Sequence, residues 1–307
     1  MTLHIETPLV KSDILSNLVN KDIRLKLDAL QPSGSFKIRG IGYACEYHAG
    51  KGAKAFLSSS GGNAGMAVAY AGKKLGIPVK VVVPETTSSR SIRLLEKDNA
   101  KVIVHGSSWL EANTLAQSII TDETAFIHPF DDELLWLGHS SMIDEIHSAE
   151  FKPDLIILSV GGGGLLAGVI KGLMKNNWED IPIMTVETDG AASLHRSLKK
   201  GKIVELKKIT SLATSLGAKR VSEGAFKLAQ SHKITSTLVS DLDTFTACKR
   251  FLSDHKVLVE PACGAALSPV YNKMQGLRAF NNILVIICGG STTSIDDIKN
   301  GIATLTN

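Results

Sequence analysis

Short apolar, β-branched runs recur along the chain, and between them apolar residues fall at helical spacing. The runs Ala55–Ser59, Val79–Pro84, Lys101–Gly106, Ala125–Pro129, Leu155–Val160, Ile181–Glu187 and Ile283–Cys288 predict strands. Leu155-Ile156-Ile157-Leu158 and Ile283-Leu284-Val285-Ile286-Ile287 are apolar without alternation. Strands covered on both faces, as in a parallel sheet between layers of helices, have that pattern. Helical spacing follows at Gly65–Leu75, Ser89–Lys97, Ser108–Thr121, Gly164–Lys175 and Ser294–Ala303. The repeated strand-then-helix order predicts a doubly wound α/β architecture. No repeat or low-complexity linker divides the chain, and the best break is the turn-rich Pro129-Phe130-Asp131-Asp132.

Composition narrows the function classes. The 307 residues suit two domains, and 44% hydrophobic against 21% charged residues allows a sizeable core. A net charge of +4, from 34 basic and 30 acidic residues, is too mild and too evenly spread for nucleic-acid binding. The densest basic stretch, Lys199 to Lys208, is interrupted by Ile203, Val204 and Leu206 and reads as a solvated loop at a helix end. The first residues lack the apolar core of a signal peptide, and no run reaches the roughly 18 apolar residues of a membrane span. Cys45, Cys248, Cys263 and Cys288 show no Cys-x-x-Cys spacing, which favours free thiols in a reducing cytoplasm. None of the nine histidines forms a His-Glu-x-x-His pair, so zinc has no support.

Four segments carry candidate chemistry. In Pro32-Ser33-Gly34-Ser35-Phe36-Lys37-Ile38-Arg39-Gly40, small residues and one aromatic precede a lysine, leaving room for a planar aldehyde cofactor to reach its amine, although taken alone such a lysine is more often a solvated loop residue. Ser58-Ser59-Ser60-Gly61-Gly62-Asn63-Ala64-Gly65 lies between a predicted strand and helix, where exposed amides and the helix dipole suit an anion; a plain capped turn explains it equally well. Gly161-Gly162-Gly163-Gly164 follows the Leu155–Val160 strand and can wrap amides around a phosphate. Gly162-x-Gly164-x-x-Ala167, with Glu187 about 20 residues on, also satisfies a dinucleotide-binding pattern, so an NAD-linked oxidoreductase stays open at this point. Cys288-Gly289-Gly290-Ser291 ends the last strong strand, where α/β folds meet their ligands, although a buried structural thiol is the commoner fate of such a cysteine.

Taken in this order, the four segments resemble the serine/threonine dehydratase group of fold-type II pyridoxal phosphate enzymes, with vertebrate-type L-serine dehydratases as the nearest likeness. Pro129-Phe130-Asp131-Asp132, Gly138-His139 and Val259-Glu260-Pro261-Ala262-Cys263-Gly264-Ala265-Ala266 extend the likeness over nearly the whole chain. The resemblance implies a tryptophan synthase β-like α/β fold of two doubly wound open-sheet domains. Residues 1–30 and 132–307 would form the large domain, and 31–131 a smaller inserted one. It implies pyridoxal 5′-phosphate held on Lys37 as a Schiff base, with Phe36 packing near the ring. Gly161, Gly162, Gly163 and Gly164 would cradle the phosphate, Asn63 would bond the ring hydroxyl, and Cys288 would face the pyridine nitrogen. Amides around Ser60, Gly61, Asn63 and Ala64 would hold the substrate carboxylate. A monovalent or divalent cation would sit on Glu187 and carbonyls near Gly161, Ala191 and Leu216.

The implied activity is elimination of ammonia from L-serine or L-threonine, giving pyruvate or 2-oxobutanoate, in a cytoplasmic homodimer. The chain stops soon after its last predicted helix, which by the same resemblance implies a catabolic enzyme without the regulatory domain of biosynthetic threonine deaminases. Rival readings are a serine racemase or another β-eliminating or β-replacing enzyme of this fold, an NAD oxidoreductase, and a non-catalytic small-molecule binder. Racemisation needs a second acid/base group opposite Lys37. Resembling racemases carry a serine where this chain has Gly61.

Overall fold

The structure is a computed structural model and describes residues 2–306. The strands are β1 (Leu9–Lys11), β2 (Asp22–Lys26), β3 (Ala55–Ser58), β4 (Val79–Val83), β5 (Lys101–Val104), β6 (Thr124–Phe126), β7 (Leu155–Ser159), β8 (Ile183–Thr188), β9 (Ile234–Val239) and β10 (Asn282–Ile286). They form two sheets, one of six strands ordered β1-β2-β10-β7-β8-β9 and one of four ordered β5-β4-β3-β6. All pairs are parallel except β1 with β2. The expected two-sheet α/β architecture is therefore present.

The central strands of the large sheet are those with unbroken apolar runs. Every residue of β7 and β8 is buried, as is β10 beyond Asn282. Helices cover both faces, so each buried Leu, Ile or Val there contributes about 1.5–3 kcal/mol by leaving water. Edge strands read differently. Ile234-Thr235-Ser236-Thr237-Leu238-Val239 is partly exposed along most of its length, and its Thr and Ser residues hid it from a search for apolar runs. Strands β1 and β2 escaped for a similar reason, being short and carrying Lys11, Asp22, Arg24 and Lys26. The predicted Ala125–Pro129 strand shortens to Thr124–Phe126, because the chain turns at His128 and Pro129.

Helix Lys37–Gly50 packs against helices Asn63–Leu75 and Glu133–Ser148 and is anchored by buried charge. Fully buried Arg39 donates Nε to Asp28 Oδ2 at 2.6 Å and Nη2 to Oδ1 at 3.0 Å, and it also bonds Glu145 through Nη1 and Nη2. Lys26 pairs with the same Glu145 and donates to the Thr7 carbonyl at 2.6 Å. Two cations thus face two carboxylates, and good geometry offsets the desolvation cost. Neither Asp28 nor Glu145 was legible as a partner for Arg39.

The strand order determines where the loops meet. In the large sheet the chain runs outward through β7, β8 and β9, then returns with β10 on the other side of β7. In the small sheet β3 lies between β4 and β6. Each reversal opens a crevice at the carboxyl ends of parallel strands, the usual ligand position in such sheets. The loops leaving β7, β10, β3 and β6 are Gly161–Gly164, Cys288–Ser291, Ser59–Gly62 and Ile127–Asp132.

Candidate active site

The segment 31–36 lies alongside the chain that leaves β10. Ala29 N donates to Ile287 O at 2.8 Å, Phe36 N to Cys288 O at 2.8 Å, and Gly290 N to Gly34 O at 3.0 Å, with Ser35 bridged to Gly289. This pairing sets Lys37 as the first residue of its helix, at the crevice of the large sheet. Lys37 Nζ donates to Pro129 O at 2.6 Å and lies 5.1 Å from the Phe36 ring centroid. Burial pushes the ammonium down to about 8, against the opposing pull of Glu260 and Cys288. A lysine in that range supplies appreciable neutral amine near neutral pH, as covalent chemistry on an aldehyde requires.

The helix carrying Lys37 has no side-chain cap of its own. The Gly40 amide is instead received by His139 Nδ1 at 3.1 Å, from helix Glu133–Ser148. Burial, then the charges of Lys37, Arg39 and His4, hold that imidazole well below its usual pKa and so neutral. Phe36 packs on the same ring at 4.8 Å between centroids.

The glycine loop has the form of a cradle. Gly163 adopts φ +96°, and a Cβ there would lie 2.5 Å from Cβ of Ala225. A Cβ on Gly162 would lie 2.4 Å from the Phe130 ring. Among the described residues, the amides of Gly161, Gly162, Gly163 and Gly164 donate to no acceptor. Bare amides at the start of helix Gly164–Lys175 fit a phosphate. Phe130 links this loop to the lysine, since its neighbour Pro129 accepts from Lys37.

Across the crevice, Asn63 opens helix Asn63–Leu75 after β3. Its Nδ2 donates to both carboxylate oxygens of Glu260 at 2.8 Å, and its Oδ1 accepts from Ser291 Oγ at 2.6 Å. Glu260 was noticed only as part of a motif, yet it is buried beside Lys37. Burial raises its pKa, and bonds from Asn63, Thr292 and Ser215 oppose the rise. The nearby loop leaves the amides of Gly61, Asn63 and Ala64 without acceptors among the described residues, whereas Gly62 N donates to Ser60 Oγ at 3.3 Å. Open amides at a helix start suit a carboxylate. Cys288 Sγ lies 3.5 Å from Cys263 Sγ and 3.8 Å from Ser159 Oγ. All four cysteines are free and buried.

Glu187 belongs to a different environment. Its carboxylate is fully buried and accepts from Leu194 N at 2.8 Å and His195 N at 2.6 Å, capping helix Ser193–Lys200. Burial lifts it to about 7 despite those bonds. A carboxylate enclosed in this way is not presented to a ribose, which removes the acid on which the dinucleotide pattern relied. A Cβ on Gly161 would lie 3.2 Å from Leu216 Cα, so two of the expected carbonyl donors for a cation are neighbours. Among the described residues no three His, Cys, Asp or Glu side chains converge on one point, so a cation there would rest on Glu187 and backbone carbonyls.

Comparison with known proteins agrees with this geometry. The family described as "Pyridoxal-phosphate dependent enzyme" matches residues 1–289. L-serine dehydratase/L-threonine deaminase from Bos taurus is 47% identical, over 95% of this chain and 93% of its own length. The Mus musculus protein of the same name is 45% identical, over 97% of this chain and 94% of its own. Among solved structures, a fungal L-serine ammonia-lyase from Rhizomucor miehei superimposes with a TM-score of 0.93 at 33% identity, covering 98% of both chains.

Proposed function

The chain belongs to the pyridoxal-phosphate dependent enzymes, and from that premise we propose that it is an L-serine/L-threonine ammonia-lyase. It would convert L-serine to pyruvate and L-threonine to 2-oxobutanoate, with release of ammonia. The observation that carries this reading is Lys37: an amine lowered to about 8 by desolvation, bonded to Pro129 O, whose neighbour Phe130 packs on Gly162 of the glycine cradle, and under the charge of Glu260, which receives Asn63 from the helix start after the Ser60 loop. Relatives 45–47% identical over nearly the full chain bear names for this activity.

The residues present fit the cofactor. Lys37 would hold it, Gly161 to Gly164 its phosphate, Asn63 its ring hydroxyl and Cys288 its pyridine nitrogen. When bound, the cofactor supplies a conjugated ring that takes up electrons as a bond at the substrate α-carbon breaks. Lys37, as a free amine, moves the α-proton, and its depressed pKa suits a base near neutral pH. Amides around Ser60, Gly61, Asn63 and Ala64 would fix the substrate carboxylate. Phe36 would pack near the cofactor ring, its own ring resting on His139 and beside the lysine amine. Cys288 would bring a thiol in place of a carboxylate to the ring nitrogen, so no fixed negative charge would draw a proton there.

We propose further that residues 31–131 form the inserted smaller domain, since β3 to β6 all fall between 55 and 126. The catabolic enzyme would be cytoplasmic, which four free buried thiols favour. No described helix is long and apolar enough to cross a membrane. It would be a homodimer, for which exposed Tyr43, Tyr47 and Leu137 on adjoining helices offer an apolar face. A cation held by Glu187 and carbonyls of Gly161, Ala191 and Leu216 remains part of the proposal. Incubation with each amino acid, with 2-oxo acid and ammonia measured together, tests the activity. Equal release of both products supports it, and no release from either substrate rejects it.

A further inference from the structure

Two amides of the loop after β6 converge on one ring nitrogen. Asp131 N donates to His128 Nδ1 at 2.7 Å, and Phe130 N donates to the same atom at 3.2 Å. An imidazole nitrogen accepts only when it carries no proton, so the single N–H of this ring must be on Nε2. Between the imidazole and those amides stands Pro129, whose carbonyl accepts from Lys37 Nζ at 2.6 Å. The next residue is held just as firmly. Phe130 O accepts from the Trp136 indole at 2.9 Å, its ring covers Gly162, and it meets the His128 ring edge to face at 4.9 Å.

We propose that His128 is a positioning residue for Lys37, whose neutral imidazole shapes the turn presenting the Pro129 carbonyl to the amine, so that protonating the ring releases that carbonyl. A proton on Nδ1 would face two N–H donors, costing both hydrogen bonds and adding repulsion. The turn must then rearrange, and Lys37 loses its only hydrogen-bond acceptor among the described residues. Burial keeps the ring neutral by lowering its pKa below 6.5. The charged groups bearing on it are Asp131 and Asp132 from the turn, which favour the proton, and Lys37 from the facing helix, which opposes it. Activity should therefore fall on the acid side as this imidazole titrates. Sequence reading passed over His128, since a lone histidine before proline has no pattern of its own.

The kinetic part of this proposal rests on the ammonia-lyase reading, and the spectroscopic part does not. Holoenzyme labelled with 15N-histidine should show, at neutral pH, the His128 ring, assigned by the signals missing in His128→Leu, with bare Nδ1 and protonated Nε2, titrating below 6.5 in step with kcat. His128→Leu removes the acceptor, and loss of two amide bonds should lower kcat about tenfold with little change in KM. In His128→Asn the side-chain oxygen can receive the same amides but does not titrate. It should recover most of that kcat and shift or abolish the acid limb. A proton on Nδ1 at neutral pH would overturn the proposal. So would an unchanged acid limb in H128N, or a parent-like kcat in H128L. If the predicted tautomer is found but neither amino acid is turned over, the ammonia-lyase reading fails, and the positioning claim is decided by the rate at which Lys37 of apoprotein captures pyridoxal phosphate: slower in H128L than in the parent and restored in H128N supports it, and equal rates in all three overturn it.

Discussion

Gly163→Ala probes the cradle at the point where backbone and packing both demand glycine. At φ +96° a residue with a Cβ costs about 1–2 kcal/mol. The new carbon would also lie 2.5 Å from Cβ of Ala225 and 3.0 Å from Cγ2 of Val221, well inside van der Waals contact. Overpacking of that kind costs about 1–3 kcal/mol. Together these give about 2–5 kcal/mol. If the loop escapes by moving, cofactor affinity should fall about 30-fold or more. The assay is titration of apoprotein with pyridoxal phosphate, alongside urea unfolding with and without cofactor. Ala225→Gly removes the atom struck and costs about 1 kcal/mol in its own helix. The double variant should regain the packing share and retain the backbone share. Parent-like binding and stability in G163A, or simple addition of the two losses in the double variant, would refute the reasoning.

Arg39→Met should destabilise by about 3–5 kcal/mol in urea, because it leaves the fully buried Asp28 carboxylate without its cation and half-buried Glu145 with Lys26 alone. Burial alone would raise Glu145, but Arg39 and Lys26 hold it below its usual range; the network therefore stabilises above the unfolded carboxylate range and weakens as pH falls through the depressed value. The gap between parent and R39M should narrow toward acid, and a constant gap would count against ion pairing. Capture of pyridoxal phosphate by apoprotein should quicken as pH rises through about 8, where Lys37 becomes neutral; a midpoint near 10.5 would show an unperturbed lysine. The parent enzyme should form negligible D-serine from L-serine by chiral chromatography. Gly61→Ser should not create that activity, since a Cβ at 61 would lie 2.8 Å from Thr87 Cγ2 and 3.2 Å from Val83 Cγ1. Appreciable D-serine from the parent would mean that Ser60 or a bound water serves the second face.

Much of this site was legible because its chemistry is carried by short segments at strand ends. Lys37 and the four glycines stand out in one dimension, since a lysine among small residues and a glycine run after an apolar strand are both unusual. Glu260 and His128 did not stand out, because their meaning comes from partners 197 residues away in the case of Asn63 and from a turn's own amides in the case of His128. Glu187 drew a dinucleotide reading from spacing and a cation reading from the resemblance, and its burial under the amides of Leu194 and His195 argues against the first. In the fold, buried parallel strands announced themselves. Strands β1, β2 and β9 did not, since sheet edges tolerate the polar residues that break an apolar run.

The central claim is that Lys37 carries the cofactor, and borohydride reduction of holoenzyme followed by peptide mass spectrometry tests it most directly. The reduced cofactor should be found on the peptide containing Lys37 and on no other lysine, and Lys37→Ala should leave no covalent label. Label on a different lysine, or an unlabelled Lys37 in enzyme that retains full activity, would contradict the account.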